Sequence, residues 1–161
     1  MPTHRPARIG FLLSQLGAHA SRRFDERVAE VGLTVQQAGV LRILGRQPGV
    51  SQRDLADRLG LVQSRMVALI DGLEREGFVT RTRSATDRRS YELSLTDAGS
   101  AKLRALRAVA EAHESELTSS LTAEQRDALY GLLGELAESL GLDADVHGGR
   151  RAPGEPSASR P

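Results

Sequence analysis

The feature that most constrains this chain is a pair of short amphipathic segments separated only by Leu59-Gly60-Leu61. The first segment begins at Ser51, which has helix-capping spacing to Asp54, and it ends at Gly60. The second segment runs roughly from residue 62 to residue 76, and one helical face of it is expected to carry Val62, Met66, Leu69, Ile70 and Leu73. Two short helices joined by so tight a turn predict a helix-turn-helix.

The helical period is lost immediately after this pair of segments. Residues 78–83 and 90–95 are compatible with extended chain, and in the second of them Tyr91, Leu93 and Leu95 alternate with polar residues. A polar loop over residues 84–89 joins the two, so the pattern predicts a β-hairpin. We therefore expect a mainly α fold with a small β-hairpin wing, which is a winged helix-turn-helix.

Longer amphipathic segments flank this unit on both sides. Residues 8–31 form one of them, and the stretch between Thr34 and Pro48 forms another. Beyond the hairpin, helical periodicity returns over about residues 97–120 and again after Thr122, in a leucine-rich segment. These helices are expected to form a helical region outside the winged unit.

The composition disfavours several classes of protein. The 161 residues contain no cysteine, which excludes disulfides, cysteine-ligated zinc and thiol-based redox sensing. Aromatic residues make up only 3% of the chain, too few for a protein that binds single strands by base stacking. No apolar run approaches the ~20 residues of a membrane span, and no apolar signal core follows the first residues. We therefore expect a cytoplasmic protein without a membrane partner.

Charge is distributed unevenly, although the formal net charge is only +1. Residues 42–89 contain ten arginines and six acidic residues, whereas residues 90–145 contain four basic and eleven acidic residues. A basic segment within a nearly neutral chain predicts a surface that binds a polyanion.

The second helix of the pair has a polar face suited to the major groove of double-stranded DNA. A helix in that groove exposes one face to the base edges while the other packs on a scaffold. At a rotation of 100° per residue, the side opposite the apolar face carries Ser64, Ala68, Asp71 and Arg75.

Five residues near the start of this helix are candidate readers of bases. Arg65 has the geometry to bind guanine bidentately and Gln63 to read adenine, while Ser64 suits either a base or a phosphate. Ala68 permits close approach, and Val67 suits contact with a thymine methyl. The alternative is that these residues only form a solvated helix start. With Arg75, they are the DNA-binding residues predicted for this helix.

The predicted hairpin adds further arginines. Arg88 and Arg89 lie in its loop, where they suit the narrow minor groove, whose negative potential favours arginine. Asp87 is expected to hold one of the arginines in place by an ion pair. For Arg81 and Arg83 two roles stay open, since each can contact phosphates or pair with acids inside the domain.

Three motifs occur together over residues 51–99. They are Leu73-Glu74-Arg75-Glu76-Gly77-Phe78-Val79-Thr80-Arg81, which follows the pattern LExxGxVxR, then Asp87-Arg88-Arg89, and finally Leu95-Thr96-Asp97-Ala98-Gly99. Together they resemble the core of the MarR (multiple antibiotic resistance regulator) family of transcription factors. The flanking helices extend this resemblance over about residues 8–140.

The resemblance implies an obligate homodimer that binds a pseudo-palindromic DNA operator, usually as a repressor, and that a small, often phenolic, ligand releases. It also implies that Arg89 reads the minor groove and that Asp87 positions it. The corresponding division of the chain is a DNA-binding domain over 34–96, a helical dimerisation region over 1–33 and 97–145, and a disordered tail over 146–161. The chain departs from the oxidant-sensing branch, which uses cysteine, and fits the zinc-sensing branch poorly.

One stripe of the first helix indicates a site for an effector. Leu12, Leu16, His19 and Arg23 lie within about 40° of one another, so a cation continues an apolar stripe. Such a stripe suits a phenolic or anionic ligand, but Arg23 also suits an ion pair across a subunit interface. His113 interrupts an apolar seam of the fifth helix and is a candidate for either ligand contact or a hydrogen bond at the dimer interface.

No residue pattern supports catalysis, a metal site or a cofactor. Ser64 has no evident base, and the sequence has neither a glycine-rich phosphate loop nor an HExxH motif. Two alternatives to DNA binding stay open. One is a winged-helix protein-interaction module whose arginines meet an acidic partner, and the other is a small enzyme.

Overall fold

The computed structural model describes residues 8–83 and 91–142. Within these ranges the chain forms six helices and three short strands, which confirms the mainly α fold class. In chain order they are α1 (Ile9–Glu30), α2 (Val35–Arg46), β1 (Val50–Ser51), α3 (Gln52–Leu59), α4 (Gln63–Arg75), β2 (Val79–Arg83), β3 (Tyr91–Leu95), α5 (Asp97–Leu117) and α6 (Ala123–Ser139).

Local capping determines where several helices begin and end. Thr34 and Gln37 form a reciprocal capping box at the start of α2, and Thr122 and Gln125 form another at the start of α6. The tight turn between α3 and α4 begins at Gly60, which adopts a left-handed conformation with φ of 63°. The helix boundaries therefore follow the sequence signals closely, although α5 ends at Leu117, earlier than predicted.

The sheet has one strand more than the sequence predicts. Its order is β1-β3-β2, and both pairings are antiparallel. The missed strand is only two residues long, too short to show an alternating pattern, and Val50 pairs there with Leu93. The expectation of a two-stranded hairpin is therefore corrected to a three-stranded sheet.

The hydrophobic core lies where the helices of the winged unit meet the sheet. Fully buried side chains from α2, α3, α4 and β3 include Leu41, Leu44, Leu55, Met66, Ile70, Leu73 and Leu93. Helix α5 joins this core through Leu103 and Leu106. The expectation that Val62 belongs to the buried face is wrong. Its backbone is extended because it is the N-cap of α4, and its side chain is 68% exposed.

The first and last helices leave much apolar surface uncovered. Helix α6 has no buried residue in this single chain, yet it carries Leu129, Leu132, Leu133, Leu136 and Tyr130. The N-terminal half of α1 likewise exposes Ile9, Phe11, Leu12, Leu13 and Leu16. No helix in the described part of the chain is both long enough and apolar enough to cross a membrane.

Candidate nucleic-acid interface

The first turn of α4 stands free of the core. Gln63, Ser64 and Arg65 are all exposed, while the opposite face of the helix is anchored by buried Met66 and Ile70. The N-cap Val62 makes no side-chain capping bond, and the first turn holds no acidic residue. Its leading backbone N–H groups therefore join the three polar side chains in a surface suited to phosphates and base edges.

The remaining predicted residues of α4 extend this exposed surface. Val67 is 40% exposed, and Ala68 and Arg75 are also exposed. The structure thus brings all six predicted α4 residues to the solvent side of one helix. Their contacts with DNA stay a prediction, since exposure makes these residues available without showing what they bind.

Arg81 forms ion pairs with acids of its own domain. From β2, its guanidinium pairs with the Asp71 carboxylate, and its Nη1 atom also lies 3.4 Å from an oxygen of Glu74. Both acids belong to α4, so these pairs connect β2 to α4. Of the two roles left open for Arg81, the structure supports the internal ion pair.

The structure describes only part of the predicted wing. Arg83 is exposed and is the last residue of β2. Asp87, Arg88 and Arg89 lie outside the described residues, and so does the predicted tail over 146–161. Their roles remain predictions.

The three candidate effector residues lie on α1 and α5. His19 is exposed on α1. Arg23 donates to Glu26 at 2.8 Å and to Glu116 of α5 at 2.9 Å, so two carboxylates already surround its charge. The His113 ring lies 5.5 Å from the ring of Phe24 in the same chain. These three residues stay candidates for a ligand site.

The pKa of His113 lies below that of an ordinary histidine. Burial contributes most to the lowering of its pKa, followed by the positive charge of Arg27, while Glu114 opposes the shift. The positive charges of Arg23 and His19 lower this pKa as well. The neutral form of the imidazole, which lies beside Phe24 of α1, is therefore favoured.

A cleft of about 280 Å³ lies close by, between α1, α2 and α5. Its apolar part is formed by Phe24, Leu103, Leu106 and Ala110, and its charged part by Arg42, Arg46, Arg107 and Glu111. Sequence reasoning missed the three arginines. The available signal was their spacing, because Arg42 and Arg46 are four residues apart and share a face of α2. Among residues 8–83 and 91–142, no group of three or more candidate ligands suits a metal ion.

Fold and surface together define a DNA-binding protein of the winged-helix class. A profile of the MarR family matches residues 31–90. The HTH-type transcriptional repressor Rv2887 of Mycobacterium tuberculosis is 31% identical over 137 residues, which cover 85% of this chain and 96% of that protein. The homoprotocatechuate degradative operon repressor of Escherichia coli is 30% identical over 123 residues, which cover 76% of this chain and 83% of that protein.

Solved structures agree with these relatives. The transcriptional repressor CouR bound to a 23-mer DNA duplex superimposes with a TM-score of 0.70 at 41% identity, covering 81% of this chain and 92% of that chain. Rv2887 in complex with salicylic acid gives a TM-score of 0.67 at 30% identity, covering 82% of this chain and 98% of that chain. The chain belongs to the MarR family of transcriptional regulators, and it is accordingly a regulator rather than an enzyme.

Proposed function

We propose that this chain is a cytoplasmic homodimeric repressor that binds a pseudo-palindromic operator and is released by a small aromatic acid. The observation that carries the DNA-binding part is the exposed, acid-free first turn of α4, with Gln63, Ser64 and Arg65 around its leading N–H groups. In a dimer, two such helices would enter successive major grooves, about 34 Å apart.

The uncovered faces of α1 and α6 support the dimer. A helix that is apolar around much of its circumference is normally buried. Helix α6 has no buried residue within one chain, although Leu132 is 61% exposed and Tyr130 is 79% exposed. A second copy of the chain, placed against α1 and α6, would remove this surface from water. Acidic residues on the polar side of α6, such as Glu135 and Glu138, would then face away from DNA.

The cleft between α1, α2 and α5 supports the class of effector. Phe24, Leu103 and Leu106 offer apolar contact to a ring, while Arg107 offers a cation to a carboxylate. Arg107 forms no ion pair within the described chain, so its guanidinium is available to an anion. A related protein, Rv2887, has been crystallised with salicylic acid, which has this combination of ring and carboxylate.

Release of DNA by salicylate tests the proposal. Wild-type protein bound to labelled DNA from upstream of its own gene is titrated with salicylate, and the variants Arg107→Ala and Arg104→Ala are titrated in parallel. Arg104 is an exposed residue of the same helix outside the cleft, so it controls for the lost charge. We expect the Arg107 variant to need about tenfold more salicylate, which corresponds to one charge-assisted contact. Equal release of all three proteins would contradict the assigned cleft.

A further inference from the structure

Lys102 lies where three parts of the fold meet. It belongs to α5, one turn after Gly99, and it is partly buried. Its Nζ atom donates a hydrogen bond of 3.0 Å to the carbonyl oxygen of Val31, the C-cap residue of α1. The same ammonium lies 5.1 Å from the centroid of the Phe78 ring, between α4 and β2. One side chain therefore contacts the end of α1 and the junction that follows the reading helix.

Both contacts suit a positive charge. The last carbonyls of a helix have no partner within the helix and lie at the negative end of its dipole. The face of an aromatic ring also attracts a cation. No carboxylate in the described ranges forms an ion pair with Lys102, so the ammonium is directed to these two partners.

The ring of Phe78 is attached to a firmly held piece of backbone. The Phe78 N–H donates to the Leu73 carbonyl at 2.9 Å, and the Phe78 carbonyl accepts from the Thr96 N–H at 3.1 Å. Gly99 of α5 also lies directly against that carbonyl. A contact with Phe78 is therefore a contact with the end of α4 and the start of β2 as one unit.

We propose that Lys102 is a positioning residue that fixes α1 relative to the DNA-reading head, by which we mean α3, α4 and β2. Under the proposed function, α1 belongs to the dimer surface, so its angle to α4 determines the spacing of the two reading heads. Lys102 sets that angle by holding Val31 and Phe78 together. Only the effect on the spacing of the two reading heads rests on the proposed function. The angle between α1 and α4 is a property of one chain.

The same residue connects the cleft to the reading head. Leu103, its neighbour in the chain, lines the cleft, and so does Leu106 one turn further along α5. A ligand that shifts this turn of α5 would displace Lys102 from one of its two partners. The spacing of the reading heads would then change without any direct contact between ligand and DNA.

A distance measurement within one chain tests this proposal. The chain has no cysteine, so spin labels can be attached only at Gln15→Cys on α1 and Ser64→Cys on α4, both exposed positions. The labelled chain is mixed with excess unlabelled chain, so that double electron–electron resonance reports the distance within a chain whether or not the chain dimerises. In the parent background we expect one narrow distribution, and Lys102→Met should broaden it and shift its maximum.

Two further variants keep the test decisive. Arg104→Met removes the same unit of charge from an exposed position of α5 and should leave the parent distribution unchanged. Phe78→Leu keeps Lys102 and its bond to Val31 but removes the ring, and it should broaden the distribution in the same direction as Lys102→Met. Each variant is first checked by far-UV circular dichroism. Unchanged distributions in the folded Lys102 and Phe78 variants would overturn the proposal, and the absence of a dimer or of DNA binding would not.

A spectroscopic signal from Lys102 gives an independent readout. Lys102 is the only lysine in the sequence, so protein labelled with 13C-lysine shows a single lysine ε-methylene signal. The Phe78 ring current should move this signal away from the position of a solvated lysine, and Phe78→Leu should return it there. A wild-type signal at the solvated position would contradict the contact on which the proposal depends.

Discussion

A Cβ atom on Gly99 would lie 2.0 Å from the carbonyl oxygen of Phe78. Since the neighbouring group is backbone, it cannot move aside as a flexible side chain would. Gly99 therefore allows the first turn of α5 to pack directly on the junction between α4 and β2. The Thr96 hydroxyl supports the same junction, because it accepts from the Gly99 N–H and donates to the Gly77 carbonyl.

Replacing Gly99 by alanine should destabilise the protein. We expect Gly99→Ala to lower the free energy of unfolding by about 1–3 kcal/mol, as overpacking does elsewhere. Gly72→Ala is the control, because this α4 glycine has nothing within 4 Å of an added Cβ. That variant should gain about 0.5–1 kcal/mol from helix propensity. Urea unfolding measures both, and equal effects would contradict the close contact at Gly99.

The ion pair between Arg81 and Asp71 predicts a structural rather than a phosphate-binding role for Arg81. Arg81→Met should leave the slope of log K against log salt unchanged, because no phosphate contact is lost. Arg81→Met should lower the free energy of unfolding by about 0–1 kcal/mol, as for other partly exposed ion pairs. This loss should not add to the loss caused by Asp71→Asn, because both variants break the same pair. A salt slope reduced by about 1 would instead assign Arg81 to a phosphate.

Arg65 should determine preference for a base. If it binds a guanine, Arg65→Ala should cost about 1–3 kcal/mol of operator binding and relax the preference at one position per half-site. Binding to a set of operators with single base changes measures this, with Arg104→Ala as the charge-matched control. A uniform loss across all the sequences would identify a phosphate contact instead.

The lowered pKa of His113 makes the stability of the fold sensitive to mild acid. Burial and the nearby Arg27 favour the neutral form of His113 in the folded chain, so its pKa there lies below the ordinary value of 6.5. As the pH falls through 6.5, His113 takes up a proton in the unfolded chain before it does so in the folded chain. The folded state therefore loses stability until the pH reaches the lower pKa of the folded chain.

The free energy of unfolding should therefore fall as the pH is lowered through the ordinary histidine pKa of 6.5, and His113→Gln should reduce the fall. His19→Gln provides the comparison, because it removes an exposed histidine of α1 whose charge contributes least to the lowered pKa of His113. If the His113 variant keeps the full acid sensitivity of the wild type, His113 is not its source.

Local signals made the order of the helices predictable. The capping residues Thr34 and Thr122 and the glycine at position 60 act within a few residues of themselves, so they can be read without knowing the tertiary fold. Strand β1 was missed because two residues carry no period, and its pairing depends on a partner more than 40 residues away. Val62 was misplaced because periodicity treats an N-cap as part of its helix.

In the candidate site too, some features follow from neighbouring residues and others depend on the tertiary fold. The exposed residues of α4 follow from the helical period alone. The pairing of Arg81 with Asp71, and the contacts of Lys102 with Val31 and Phe78, join elements that only the tertiary fold brings together. The cleft arginines were missed for the same reason, since α2 and α5 are distant in the chain.

The most direct test of the proposed function is a fluorescence-anisotropy titration. Labelled DNA from upstream of the protein's own gene is compared with scrambled DNA of equal length, each at two salt concentrations. We expect the upstream DNA to bind about 10³-fold or more tightly than the scrambled DNA, with affinity that falls steeply as salt rises. Equal and weak binding to both DNAs at both salt concentrations would contradict operator recognition by α4 and would favour a winged-helix module that binds protein.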